Sequence, residues 1–190
     1  DHILGKDAPL IPEETVLEHL EKRRGLLKAV VISGGEPTLQ QNLSAFIRQV
    51  RSLSYLVKLD TNGSKPEVLK ALLSENLLDY VAMDVKAPAD KYGEIARSKV
   101  DMDAIRKSIA LLRNSGVEHE FRMTFAPELT VEDAVEGAKL AAGCKRFYLQ
   151  QYRVRRAGDP ATHAPSVVRD AAERISAAIG VCTLRGLGAE

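Results

Sequence analysis

A chain of 190 residues with 45% apolar side chains can bury one continuous core, and it suits a single domain over residues 1–190. Twenty-seven basic residues against 26 acidic ones leave a net charge of +1, which gives no ground for a nucleic-acid partner or an anionic membrane surface. No apolar run is long enough to span a bilayer and Asp1 to Lys6 lacks the order of a signal peptide, so a cytoplasmic setting is the default expectation.

In chain order, Pro12, Glu13 and Glu14 open a helix whose apolar face is Val16, Leu17 and Leu20, and Ala29 to Ile32 reads as a buried strand. Leu39, Leu43, Phe46, Ile47 and Val50 recur at helical spacing, and Tyr55 to Asp60 forms a second strand. Ser64 and Glu67 predict a capping box around Pro66 for a helix carrying Leu69, Leu72, Leu73 and Leu77; Tyr80 to Val85 is strand three. A loop rich in Pro, Ala and Gly leads to a helix over Asp101 to Ser115 closed by Gly116, then to strand four, Val117 to Phe125. Thr130 and Asp133 cap another helix, Lys145 to Gln151 is strand five, Val167 to Ile179 the last long helix, and Val181 to Arg185 a final short strand.

This alternation predicts an α/β fold with a parallel sheet. A partial (β/α) barrel fits better than a doubly wound sheet, because polar residues recur where strand after strand ends and no early dinucleotide glycine pattern is present. Ser33-Gly34-Gly35-Glu36-Pro37-Thr38 follows the first strand, Asp60-Thr61-Asn62-Gly63 the second, and Asp84 and Lys86 end the third. Arg122 lies in the fourth, and Gln150, Gln151 and Arg153 end the fifth. Two adjacent glycines let a backbone approach a ligand closely, and with the Glu36 carboxylate they suit the ammonium of a zwitterion, although a plain strand-to-helix turn could use the same residues.

Taken together, Ser33 to Pro37, Leu59 to Gly63, Met83 to Lys86 and Phe121 to Thr124, each after its strand, resemble the radical S-adenosylmethionine superfamily. More narrowly they resemble the activating proteins of glycyl-radical enzymes, above all those of anaerobic ribonucleoside-triphosphate reductases. The similarity runs from about Leu10 to Arg185. It implies an enzyme that reductively cleaves S-adenosylmethionine to a 5′-deoxyadenosyl radical, which abstracts hydrogen from a glycine of the partner enzyme. It further implies that Gly34, Gly35 and Glu36 hold the methionyl ammonium and that Lys86 and Arg122 balance its carboxylate. Asp60, Thr61 and Asp84 would contact the ligand and a monovalent cation beside it, while Asn62 and Gly63 shape the turn.

The family's 4Fe-4S cluster is held by three cysteines spaced CxxxCxxC after the first strand, and Cys144 and Cys182 do not form such a set. The chain is therefore expected to be a member lacking its first strand and cluster loop, and to be inactive alone. Two other readings compete. Asp84-x-Lys86 with Asp90 partly matches the Asp-x-Lys-x-x-Asp of barrel decarboxylases, with the last aspartate one residue late, and Lys86 could form a Schiff base. A ligand-binding or partner-docking remnant without catalysis is the other. Arg153, Arg155 and Arg156 read as a solvated basic loop rather than a docking patch, and His2, His19, His119 and His163 as ordinary surface or structural residues.

Overall fold

The computed structural model describes residues 10–154, 158 and 160–187; His2, Arg155 and Arg156 lie outside them. Six strands, β1 (Ala29–Ile32), β2 (Leu56–Thr61), β3 (Tyr80–Asp84), β4 (Glu118–Phe125), β5 (Phe147–Gln151) and β6 (Thr183–Arg185), form one parallel sheet in strictly sequential order. A doubly wound sheet reverses its strand order midway. Sequential order with crossovers of one hand instead lays every helix on one face and leaves the other concave, as in part of a barrel.

The two faces are written in the sequence at period two. Val57, Leu59, Val81, Met83, Phe121, Met123, Phe125, Phe147 and Leu149 point toward the helices and are almost completely buried. α1 (Glu13–Lys22), α2 (Leu43–Ser52), α3 (Pro66–Ser74), α5 (Met102–Asn114), α6 (Val131–Lys139) and α7 (Pro165–Ile179) cover them through residues at helical spacing, such as Ile105, Ile109 and Leu112 on α5. Register partners of parallel strands share a face, so Lys58, Asp60, Tyr80, Asp84, Glu120, Arg122, Thr124, Tyr148, Gln150 and Arg185 line the concave side together. Such a lumen differs from the branched apolar filling of a closed barrel.

Three local expectations change. The capping box at Ser64 does not form: Lys65 is the N-cap of α3, Pro66 occupies the first turn, and the Ser64 N–H is taken by Asn62 Oδ1 at 2.9 Å. The segment after β1 makes a short 3-10 turn over Pro37–Leu39 before α2 starts at Leu43, because Glu36 caps it by accepting from the Thr38 N–H. The Pro/Ala/Gly-rich loop contains a one-turn helix, α4 (Tyr92–Ala96), anchored by the buried Tyr92, whose hydroxyl donates to the Asp84 carbonyl at 3.3 Å. By contrast, Thr130 and Asp133 form the reciprocal capping box expected of them. No helix among the described residues is long and apolar enough to cross a membrane.

Among the described residues β1 pairs on one side only, and beside that open edge Val31 and Leu56 are 54% and 53% exposed on the concave face. An unpaired apolar strand edge is a template for another chain. The 190-residue chain is expected to self-associate at high concentration in multi-angle light scattering, and Val31→Lys to shift it toward monomer. A wild-type chain that stays monomeric throughout would show the edge to be covered.

Candidate functional site

The C-terminal ends of β1 to β4 are joined by a chain of charged contacts. Arg122 on β4 reaches across β3: its Nε donates to Asp84 Oδ1 at 2.6 Å and its Nη1 to Asp60 Oδ2, on β2, at 3.1 Å. Ser33, just after β1, donates to the same Asp60 oxygen at 3.3 Å, and Lys86 donates to Asp84 Oδ2 at 3.2 Å. Lys58 Nζ approaches Asp60 Oδ1 at 3.2 Å without hydrogen-bond alignment, so that buried oxygen keeps unfilled acceptor capacity. Burial by itself would lower the Arg122 pKa, but the Asp84 and Asp60 carboxylates outweigh it and hold the guanidinium above its ordinary value. Arg122 is thus a fixed cation between two carboxylates.

Glu36 sits beside this belt as a buried junction. Its Oε1 accepts from the Thr38 N–H, the Thr38 hydroxyl and the Thr61 hydroxyl, at 3.2, 2.6 and 2.7 Å, and its Oε2 accepts from the Asn62 N–H at 2.6 Å. The carboxylate ties the loop after β1 to the turn after β2. Gly34 and Gly35 precede it with φ of +95° and +48°, a left-handed pair that only glycine adopts cheaply, and nothing lies within 4 Å of where their Cβ atoms would stand. Thr61 faces the helix side at 4% exposure, its hydroxyl committed to Glu36 and to the Gly63 N–H. It therefore stands apart from Asp60, Asp84, Lys86 and Arg122, which do meet. Asp90 is exposed and shares no ion pair with Lys86 among the described residues.

Beneath the belt lies a second polar layer. Glu120, nearly fully buried, receives a bidentate fork from Arg185 at 2.7 and 2.9 Å and the Tyr80 hydroxyl at 2.7 Å, while the Arg185 guanidinium stacks 3.3 Å from the Tyr148 ring centroid. Motif reading missed this layer, but Glu118-x-Glu120-x-Arg122-x-Thr124 alternating with buried apolar residues is its signal. Burial acts to raise the Glu120 pKa, yet Arg185 and Tyr80 hold it below the ordinary value; burial and Glu120 push Tyr80 from 10.0 up to about 12. With its folded pKa depressed, Glu120 contributes stability above its unfolded pKa that is lost as pH falls through the folded one. Tyr80 is the opposite case: its contribution is full below 10.0 and lost as pH rises toward about 12. Thermal melts are expected to fall at both ends, with Tyr80→Phe flattening part of the alkaline arm; Tyr92, pushed by burial to about 12, and the buried thiols of Cys144 and Cys182, also pushed up, contribute to the rest. An unchanged alkaline arm in Tyr80→Phe would refute the assignment.

A cavity of about 880 Å³ opens over the β3 to β6 side of the mouth, sharing Asp84, Lys86 and Arg122 with the belt. The donor set suits a zwitterionic ligand such as S-adenosylmethionine: a fixed guanidinium and ammonium for a carboxylate, and a buried carboxylate oxygen with spare capacity. It does not suit an iron–sulfur cluster. Cys144 is buried and Cys182 half-buried, and both precede β5 and β6 at the end opposite the mouth. Burial raises both thiols, Cys182 to about 11, which keeps them protonated rather than thiolate. No group of three metal-ligating side chains stands together among the described residues.

Among proteins of known sequence, the chain is 40% identical over 137 residues to a Methanocaldococcus jannaschii protein named as a candidate glycyl-radical enzyme activating enzyme, covering 69% of this chain and 57% of that one. The chain spans about half the length of the curated relatives it matches. Among solved structures, a domain of pyruvate-formate lyase-activating enzyme from Bacteroides vulgatus superposes with a TM-score of 0.67 at 16% identity, covering 84% of this chain and all of that one. Streptococcus suis SuiB bound to S-adenosylmethionine gives 0.70 at 16% identity, covering 96% and 45%. At that identity the superpositions speak for the fold. The sequence itself matches the Radical SAM superfamily over residues 3–141, a span that contains the strand ends converging at the mouth from Ser33 to Arg122, and the chain belongs to that superfamily.

Proposed function

We propose that this chain is the ligand-holding part of a radical S-adenosylmethionine activating enzyme, acting on a glycyl-radical enzyme such as an anaerobic ribonucleotide reductase in an oxygen-free cytoplasm. The observation that carries this reading is the Asp60–Arg122–Asp84 belt at the mouth, joined by Ser33 and bordered by Glu36. The name of the 40% identical relative supports it.

In this reading Lys86 and the free edge of Arg122 take the methionyl carboxylate, and the Gly34–Gly35 backbone with Glu36 takes the ammonium. Asp60 and Asp84 orient Arg122 and border a monovalent cation; Thr61 serves indirectly, by holding Glu36. S-adenosylmethionine, given one electron by a 4Fe-4S cluster that the described residues do not hold, would be cleaved to methionine and the fragment that removes hydrogen from the partner's glycine. The residues of this chain bind and orient it; the described residues offer no ligand set to the 4Fe-4S cluster.

Isothermal calorimetry with S-adenosylhomocysteine is expected to show weak but saturable binding, reduced roughly tenfold or more by Glu36→Gln and by Asp84→Ala. No binding at millimolar ligand by a cooperatively melting sample would defeat the ligand assignment. Joined to a CxxxCxxC-bearing first strand and loop and reconstituted anaerobically, the protein is expected to yield 5′-deoxyadenosine and methionine, while the 190-residue chain treated identically takes up no cluster. Turnover by the chain without iron would instead favour decarboxylase or Schiff-base chemistry at Lys86.

A further inference from the structure

We propose that a hollow at the base of the sheet, at the end opposite the mouth, binds a single phosphate group, with Arg113, Lys145 and His119 as the receiving side chains. The inference goes beyond the activating-enzyme reading and does not depend on it, since these residues line neither the belt nor the large cavity.

Three stretches of chain build the hollow. α5 ends at Asn114 and delivers Arg113; the turn after it opens β4 with Glu118 and His119; and the turn through Gly143 and Cys144 leads Lys145 and Arg146 into β5. Together they enclose about 90 Å³, room for one tetrahedral oxyanion, so that the body of any larger ligand would lie outside. Gly143 has φ +81°, and a Cβ there would stand 2.7 Å from Arg113 Nη2. The missing side chain is what lets the guanidinium lie against the turn.

The charges do not cancel. Glu118 is the one carboxylate on the wall, and Arg146 takes it, with Nη1 at 2.5 Å from Oε2. Arg146, aided by Lys145 and His119, holds the Glu118 pKa below its ordinary value. Arg113 and Lys145 have no carboxylate partner among the described residues. Burial keeps the Cys144 thiol protonated, so it brings no negative charge. The C-terminal ends of α5 and α6 reach this face with about half a negative charge each, less than the two unmatched cations supply. The surplus is positive and selects an anion, which a guanidinium can take with two hydrogen bonds.

His119 narrows the class of anion. The residue is only 9% exposed, and its Nδ1 lies 2.8 Å from the Val117 carbonyl oxygen, an acceptor, so Nδ1 carries the proton. Its Nε2 has no hydrogen-bond partner among the described residues, and the ring lines the hollow. A buried polar group without a partner calls for an occupant. Neutral, Nε2 accepts; protonated, it donates. A phosphate group loses its second proton at about pH 6, so near neutral pH it offers both P–OH and P–O⁻ to such a nitrogen. A carboxylate there offers acceptors alone.

The test titrates the 190-residue chain, in chloride buffer of constant ionic strength, with inorganic phosphate and separately with adenosine monophosphate, read by calorimetry and by the imidazole signals in NMR. Phosphate is expected to bind saturably and to move the His119 signal while those of His19 and His163 stay. Arg113→Ser with Lys145→Ser is expected to weaken it about tenfold or more and to leave S-adenosylhomocysteine affinity unchanged. Should that double variant fail to melt cooperatively, Lys145→Ser alone is expected to weaken it about threefold. His119→Asn, which keeps a donor for the Val117 carbonyl but has no second ring nitrogen, is expected to weaken phosphate by a similar factor. A preference for the nucleotide of more than about threefold identifies the source as a phosphate ester, and equal or weaker binding of it identifies the free ion. The proposal is overturned by no saturation below about 50 mM phosphate, by chloride reproducing the His119 shift, by an unmoved His119 signal, or by undiminished binding in the charge-removed variants.

Discussion

Gly63→Ala is expected to cost about 2–5 kcal/mol and to lower the melting temperature by about 5–15 °C. Gly63 closes the turn after β2 with φ +74°, and a Cβ built there would stand 2.0 Å from Met83 Cε, 2.9 Å from Met83 Sδ and 3.3 Å from Ser108 Cβ. The Met83 terminus is flexible, but the residue is fully buried, so moving it displaces other core groups. Ser108, also fully buried, donates to the Gly63 carbonyl at 2.7 Å and fixes the turn against α5. The two causes separate in a Met83→Ala background, where the cost of Gly63→Ala is expected to shrink to the backbone part, about 1–3 kcal/mol. A melt within about 2 °C of wild type would show that the turn tolerates a Cβ without strain. The turn follows directly on Asp60 and Thr61 at the end of β2 and presents the Asn62 N–H to Glu36, so S-adenosylhomocysteine affinity is expected to fall with stability.

Removing the Arg122 guanidinium should be nearly as damaging to the fold and more so to the site. In Arg122→Met, Asp60 and Asp84 are left facing one another with side chains only 15% and 29% exposed, at an expected cost of about 2–4 kcal/mol, together with loss of measurable S-adenosylhomocysteine binding. Salt distinguishes this from a packing defect. The two carboxylates left without their cation repel one another, so the stability gap to wild type is expected to narrow as ionic strength rises. A gap independent of salt would mean that the stem of Arg122, not its charge, matters. Arg122→Lys, which keeps charge but cannot reach both carboxylates with a planar fork, should recover stability before it recovers binding.

Much of this arrangement is legible one residue at a time. The order of strands follows from helices alternating with short apolar runs, and Asp60, Asp84, Lys86 and Arg122 follow from polar residues at successive strand ends. What sequence reading does not reveal are the partners chosen across distance. Glu36 looks like a ligand group, but the structure shows most of its hydrogen-bonding capacity taken up by Thr38, Thr61 and Asn62, of which Thr61 and Asn62 come from the next strand end. Thr61, adjacent to Asp60 in sequence, faces the opposite side of the sheet, because the side-chain period of a strand is two. The Glu120–Arg185–Tyr80 layer joins strands separated by 40 and 65 positions and carries no motif, so alternation alone points to it. The cap at Ser64 is missed because Lys65 and Pro66 move the start of α3 one step beyond the box.

The monotone order of the sheet also bears on how the molecule is made. Among the described strands, each from β2 onward pairs with the one synthesised just before it, so during translation it leaves the ribosome with its partner's edge already laid down and waiting. None of the described strands has to hold a gap open for a later one, as a Greek key or a doubly wound sheet requires. Assembly of this molecule is thus directional, with Arg185 of the last strand closing onto Glu120 only after the other strands are in place.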